Sequence, residues 1–477
     1  MIRTHSIGAA AFAALLAGTA LTASPALARQ QGPVDLTAQA QPPAPAANTA
    51  PAGAQSAAQP AAGSAPQPAV SPVVQPLPGV TPPGPQAPPP PPPHWTLADA
   101  QQLLAYIKGV TSEGLFPKDY QPAALAAAIA QGESPALDAT ATKLFTWLVE
   151  DLRDGRTPMD SRIQWFVFDP DQDNEPTSAV IAKALDTHDI AGALTALDPA
   201  NPDYELLREQ LAEATDPKTK SIIRINMDRW RWLPQHLGLQ YLITNVPEEM
   251  LRLTVNNRII SSYRTIVGKP GRTATPQLAE TVQGVIFNPT WTVPQSIVKG
   301  EGLGAKLLAR PGSAERQGYK VTKGADGFVN VVQQPGPNNS LGLMKLDMPN
   351  EHAIFIHDTP NRGLFNQDNR ALSHGCVRTE RATELGMTMA ILGSDTDKDA
   401  LAAISRSGDY TRVPMTKTFP VYIVYFTYAR DVNGELRPFN DLYGRDPAVL
   451  KSFAEPRVEH SGQRHSTQEV IVAQDPL

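Results

Sequence analysis

Between Arg29 and Pro93 the chain cannot build a core. That stretch of 65 residues holds twenty prolines and no Phe, Trp or Tyr, and only Arg29 and Asp35 carry charge. Such a segment buries too little apolar surface to offset the entropy of ordering it, so it is expected to be disordered. Its last six residues, Pro88 to Pro93, favour polyproline II. As a flexible coil the tract spans roughly 45 Å, and fully extended it reaches roughly 200 Å. It serves as an inert spacer or as a tether across a wall; the tether needs an anchored N-terminus. Folding is thereby confined to about Trp95–Arg457, enough chain for two domains.

Ahead of the tract lies a segment of another kind. Arg3 and His5 precede the Ala-rich apolar run Ile7–Ala23, and Ala26-Leu27-Ala28 is an A-x-A cleavage site. Residues 1–28 therefore read as an export signal, cleaved before Arg29. The alternative is an uncleaved anchor, although the run is short and weakly apolar for a span. No Arg-Arg pair accompanies it. Either way the protein is expected outside the cytoplasm, in the periplasm of a bacterial envelope, with membrane contact only if the signal stays. A net charge of −6 without a long Lys/Arg block argues against nucleic acid as partner.

From Thr96 to about Ala212 the pattern is helical. Thr96 is placed to cap a helix carrying Leu97, Leu103, Leu104, Ile107 and Val110. The clearest helix, Asp138–Arg153, has Ala141, Leu144, Phe145, Leu148 and Leu152 on one stripe and Gly155 as its stop. Shorter helices are expected at Thr177–Asp186, Ile190–Leu197 and Pro202–Ala212. Residues 95–220 thus form a helical domain without obvious chemistry. From Ser221 strands are expected to dominate: Leu239–Asn245, Met250–Val255, Ile259–Val267, Val282–Phe287, Ala353–Ile356 and Pro420–Tyr428. Asn256-Asn257 reads as a hairpin turn, and Arg381–Leu392 as a helix. Residues 221–455 make this second domain, and 456–477 a loose polar tail. The fold class is α+β, a mainly-β domain behind an all-helical one.

The chemistry gathers at the only cysteine. His352, His357 and His374 lie within 25 residues of Cys376. A lone cysteine in an oxidising compartment is a liability unless used. The run Ser373-His374-Gly375-Cys376-Val377-Arg378 sets a histidine, a flexible glycine and an arginine beside it, which favours a thiolate. A thiol of pKa ~8.5 is about 3% ionised at pH 7, so ionisation alone gains at most about 30-fold. A placed acid–base gains roughly 10²–10⁴-fold, and each oxyanion donor roughly 3–4 kcal/mol. The site therefore needs a base, for which His357 at a strand end is the best candidate. The amides of Gly375 and Cys376 are the natural oxyanion donors. A buried structural cysteine is the bland alternative. A metal held by His352, His357, His374 and Cys376 is another, but no CxxC or HxxxH spacing supports it. No cofactor is expected.

His357-Asp358-Thr359-Pro360 followed by Ser373-His374-Gly375-Cys376-Val377-Arg378 resembles the signature of the L,D-transpeptidases with a YkuD-type catalytic domain. Other segments resemble the large Gram-negative branch of that family: Asn226-Met227-Asp228-Arg229-Trp230-Arg231-Trp232-Leu233-Pro234, Phe287–Pro294, Pro335-Gly336-Pro337-Asn338-Asn339, and Leu442-Tyr443-Gly444. The stretch Gly114–Pro158 resembles the branch's helical scaffold.

The resemblance implies a β-sandwich catalytic domain with a capping insertion, which looks short here between Tyr319 and Gln334. It implies Cys376 as nucleophile, His357 as proton donor and acceptor oriented by a backbone carbonyl near Asp358, and Gly375 with Cys376 as oxyanion donors. Ser373 and His374 would shape the pocket. Arg378 would hold a substrate carboxylate or make a structural ion pair, and Trp291 would line the substrate groove or the core. Trp230 and Trp232 read as core. The substrates implied are peptidoglycan stem peptides, with a diaminopimelate amine, water or an outer-membrane protein as acceptor, and the implied inhibitors are carbapenems. The branch's peptidoglycan-binding module usually precedes the Asn226–Pro234 segment, but only Ala214–Ile225 separates that segment from the scaffold.

Overall fold

The computed structural model describes residues 92–300 and 302–468. The expected export signal and nearly all of the proline tract lie outside the described residues. Helices Leu97–Gly109, Pro122–Ala130, Pro135–Arg153, Thr177–Thr187, Ile190–Thr195 and Pro202–Glu213 form the first domain. Thr96 caps the first, its hydroxyl accepting the Asp99 amide at 3.2 Å. The longest starts earlier than the apolar stripe suggests, because Ser134 caps it and Pro135 fills its first turn. Leu137, Ala141, Leu144, Phe145, Leu148 and Leu152 are buried along it. Gly155, at φ +83°, ends that segment, and a Cβ there would lie 2.5 Å from the Trp232 ring.

The expectation of strands from Ser221 is corrected. Pro217–Trp230 is a helix capped by Asp216, with Ile223, Met227 and Trp230 buried at helical spacing. It carries the junction between the domains. The Asp228 carboxylate is fully buried and accepts the amides of Arg156 (2.7 Å) and Thr157 (3.2 Å) and the Trp232 indole (3.0 Å). Arg229 donates to Asp446 at 2.7 Å, and Trp230 stacks on Phe426 at 4.6 Å. Trp230 and Trp232 are core residues, each 3% exposed.

A short strand inside the helical domain, β1 (Trp165–Phe166), leaves it to join the sheet of the second domain. That sheet runs through β2 (Gln240–Asn245), β3 (Met250–Val255), β4 (Arg258–Gly268) and β5 (Gln277–Phe287). Asn256 and Asn257, at φ 50° and 58°, make the expected β3–β4 turn. The chain then builds a cap from β6 (Trp291–Thr292), helices Leu303–Leu308 and Pro311–Arg316, β7 (Tyr319–Lys323) and β8 (Val329–Gln333). The cap strands pair in the order β6–β8–β7 around a separate small core of Val293, Val298, Leu307, Ala314 and Val331. The insertion is therefore longer than the expected Tyr319–Gln334, which is only its terminal hairpin.

After the cap come β9 (Met344–Asp347), β10 (Ile356–His357), β11 (Ala371–Ser373), β12 (Val377–Thr379), helix Ala382–Gly393 and β13 (Thr411–Val424). The order is β5–β13–β2–β3–β4–β12–β10–β9, and β9 pairs back onto β5. The sandwich is thus one sheet closed on itself, which leaves few open edges. The expected strand Ala353–Ile356 is only Ile356–His357, because Ala353 sits at φ 48° and Asn350 folds the preceding residues into a loop.

The tail, expected to be loose from 456, is ordered to 468. Arg457 donates to Asp151 at 2.9 Å and Glu150 at 2.6 Å, and His460 lies 3.2 Å from Asp151. Beyond it the Ser466 amide donates to the Trp165 carbonyl at 2.7 Å. Burying these charges with partners on the helical domain turns a polar segment into a strap.

Candidate active site

Register and pleat bring the signature residues together. β10 and β12 run parallel, with Ile356 opposite Val377 and His357 opposite Arg378. The Val377 amide donates to the Phe355 carbonyl at 2.9 Å, which sets Cys376 level with Phe355. Side chains alternate along a strand. Ile356 and Val377 therefore point to the core, where both are fully buried, and His357, Cys376 and Arg378 share the other face. Lys345 of β9 pairs with His357 from the far side, and its ammonium sits 3.4 Å over the Phe355 ring.

His357 is 5% exposed and tied to the Asp358 carbonyl, Nδ1 to O 2.5 Å. A carbonyl only accepts, so Nδ1 carries the proton and Nε2 of the neutral ring is the acceptor. Burial drives the ring's pKa down to about 3, and Arg378 and Lys345 push the same way, against the Asp358 and Leu341 carbonyls that favour the cation. At neutral pH this imidazole is a neutral base. The Asp358 side chain is fully buried and accepts the Leu343 amide at 2.9 Å and Arg362 at 2.8 Å, which fixes the carbonyl that orients the ring.

The turn before β12 shapes the nucleophile. Gly375 adopts φ +118°, and a Cβ there would meet Ile354 Cδ1 at 3.1 Å. Ser373 is buried, and its hydroxyl donates to the Cys376 carbonyl at 2.6 Å. The same hydroxyl accepts the Gly375 amide at 3.2 Å. The Gly375 N–H, expected to be an oxyanion donor, is here turned inward onto Ser373. An oxyanion role requires it to exchange this acceptor, held at the long end of the ordinary range, for another. The Cys376 thiol donates to the Ala353 carbonyl at 3.7 Å. His374 is exposed beside it.

Two residues that reading by motif did not assign also hold this turn. Thr275 donates to the Gly375 carbonyl at 2.8 Å and accepts the Gly268 amide at 2.8 Å. Tyr443 donates to the Gly268 carbonyl at 2.7 Å, with Arg445 over its ring at 5.0 Å. The Leu442-Tyr443-Gly444 segment was the available signal for Tyr443; nothing local marked Thr275.

Burial lowers the pKa of Arg378, and the charge acting against that is Cys376. Among the described residues no carboxylate pairs with this guanidinium. Trp291 is half-buried on β6 against the cap's core. The cap is fastened through Asn339, 1% exposed, whose amide nitrogen lies 3.0 Å from the Pro289 carbonyl and 2.9 Å from that of Gln334. Its side-chain oxygen accepts the Leu341 amide at 2.8 Å, and Leu341 supplies a carbonyl to the His357 ring. Among the described residues, no three or more His, Cys, Asp or Glu side chains converge as metal ligands.

Comparison with known proteins matches two segments of the chain to known domains. Residues 239–389 match the L,D-transpeptidase catalytic domain, YkuD, and residues 92–211 match a Scaffold domain. A putative L,D-transpeptidase of Haemophilus influenzae is 31% identical over 245 residues, covering 48% of this chain and 48% of that relative. The match thus spans about half of the relative's length. An L,D-transpeptidase from Mycobacterium smegmatis is 12% identical over 39% of this chain and 58% of its own, at a TM-score of 0.20. L,D-transpeptidase 1 of Mycobacterium tuberculosis is 11% identical over 39% and 61%, at 0.18.

Proposed function

From a chain whose residues 239–389 are a YkuD-type L,D-transpeptidase catalytic domain, preceded by a Scaffold domain, we propose a peptidoglycan crosslinking enzyme of the bacterial envelope that works by cysteine acyl transfer. The observation that carries this reading is the shared face of His357 and Cys376 on adjacent parallel strands, with His357 Nδ1 committed to the Asp358 carbonyl.

Cys376 attacks the carbonyl of the third residue of a tetrapeptide stem as its proton passes to His357 Nε2. The C–N bond to D-Ala breaks, and His357 returns that proton to the leaving amine. A diaminopimelate amine then attacks the thioester, gives its proton to His357 and restores the thiol. Arg378 receives a carboxylate of the stem. Burial is the main cause of the low basicity of His357, and on this reading a substrate anion on Arg378 offsets one of the two cations that add to it, so the base strengthens once substrate is bound. The A-x-A leader supports a periplasmic site of action.

The test incubates the purified protein with a diaminopimelate tetrapeptide muropeptide and follows products by mass spectrometry. The expected product is a dimer lacking one D-Ala, absent with Cys376→Ala and reduced at least 100-fold with His357→Ala. A tripeptide alone would assign hydrolysis, with water as acceptor. Turnover that survives Cys376→Ala would overturn the mechanism. A carbapenem is expected to add its mass to Cys376.

A further inference from the structure

The helical domain contributes a ring to the catalytic half. Strand β1 lies within the Scaffold match and pairs parallel to β5, Trp165 with Gln277 and Phe166 with Leu278. Phe166 thereby packs against the core of the catalytic domain rather than that of its own. Its ring meets His352 at 4.2 Å between centroids, inclined at 45°. His352 precedes Ala353, the residue with a left-handed backbone whose carbonyl accepts the Cys376 thiol at 3.7 Å. The next residue, Ile354, lies under Gly375. The loop 350–354 is thus the floor of the nucleophile turn. Asn350 ties that loop only to itself, through Ile354 and Met348. Phe166 holds it from another domain.

We propose that Phe166 is a positioning residue for Cys376: by stacking on His352 it fixes the Ala353 carbonyl, and that carbonyl sets the direction of the thiol. The Scaffold domain then completes the active site instead of merely carrying it. This step does not depend on which acyl donor the enzyme takes.

A carbonyl that accepts the thiol proton favours the neutral thiol. Loosening it should lower the pH at which Cys376 becomes reactive, by about half a unit for one modest hydrogen bond. Arg378 on β12, His357 on β10 and Lys345 on β9 share the face of Cys376, Glu351 flanks His352 at 3.6 Å, and all remain unchanged in the variants. The experiment measures iodoacetamide alkylation of Cys376 against pH in the whole protein, with Phe166→Tyr, Phe166→Leu and Phe166→Ala, each checked for a cooperative thermal transition. Tyr keeps the ring and should match the wild type; Leu keeps apolar bulk without the ring and should shift like Ala. His352→Leu should shift the profile too, and Phe166→Leu/His352→Leu should shift no further than either single variant. A Leu variant that behaves as wild type, a Tyr variant as altered as Leu, or additive shifts in the double variant would overturn the proposal. Should Phe166→Ala not fold, the Leu and Tyr pair still decides.

Discussion

His357 combines a fixed tautomer with a very low basicity. The Asp358 carbonyl supplies the first, and burial beside Arg378 and Lys345 the second. A histidine held at about 3 when folded, against its ordinary 6.5, takes up its proton more readily in the unfolded chain. Its contribution to stability is complete above about pH 6.5 and is lost as pH falls toward 3, on the order of a few kcal/mol in all. Urea unfolding at pH 7.5 and 4.5 should therefore show a larger acid loss for the wild type than for His357→Gln. Gly375 is constrained differently. At φ +118°, with Ile354 at 3.1 Å from any added Cβ, Gly375→Ala is expected to cost about 1–3 kcal/mol and to displace the thiol. Unfolding and acylation measured on the same preparation should both register it.

At the scale of elements, the cap is a small domain whose two ends meet at one side chain. Asn339 faces the Pro289, Gln333 and Gln334 carbonyls and accepts the Leu341 amide. Replacement by Ala leaves those buried groups without their partner, at a cost of about 2–4 kcal/mol. Asn339→Ala is expected to make 291–333 more sensitive to limited proteolysis than the closed sheet and, if the proposed reaction holds, to raise KM for the stem peptide. Helix Pro217–Trp230 makes a comparable point for reading elements from sequence. Its Asp216 cap, Pro217 start and buried Ile223, Met227 and Trp230 are helical signals, yet sequence alone sets the boundary between the helical and strand-rich regions inside it, at Ser221. The choice was settled by Asp228 and Arg229, whose partners lie in other parts of the chain.

Across the whole molecule, the two domains are fastened by charge as well as by apolar contact. Arg457 and Asp151 are nearly devoid of exposure, Ser466 of the tail bonds to β1, and β1 extends the sheet of the second domain. Burial raises the Asp151 pKa, but His460 and Arg457 more than reverse it and hold the carboxyl below its ordinary value. Arg457→Ala leaves that buried carboxylate with Tyr120 and His460 but without its arginine and is expected to cost about 3 kcal/mol in chemical denaturation. The tail beyond 455 was expected to be loose because polar composition says nothing about distant partners; Asp151 lies about 300 residues away in the chain.

What the sequence by itself determined is local or pairwise in kind. Capping by Thr96, the stripe from Ala141 to Leu152, the Asn256-Asn257 turn and the signature from His357 to Arg378 all follow from neighbours along the chain, and so do the helical and strand-rich halves. Tertiary structure alone decided which groups meet across it. The reach of Thr275 to the nucleophile loop and the placement of Phe166 on His352 each depend on segments far apart in sequence being brought together by the sheet. A hydrogen bond or ring contact of that kind leaves no periodicity to read, because its partner is set by the closure of the sheet and not by spacing.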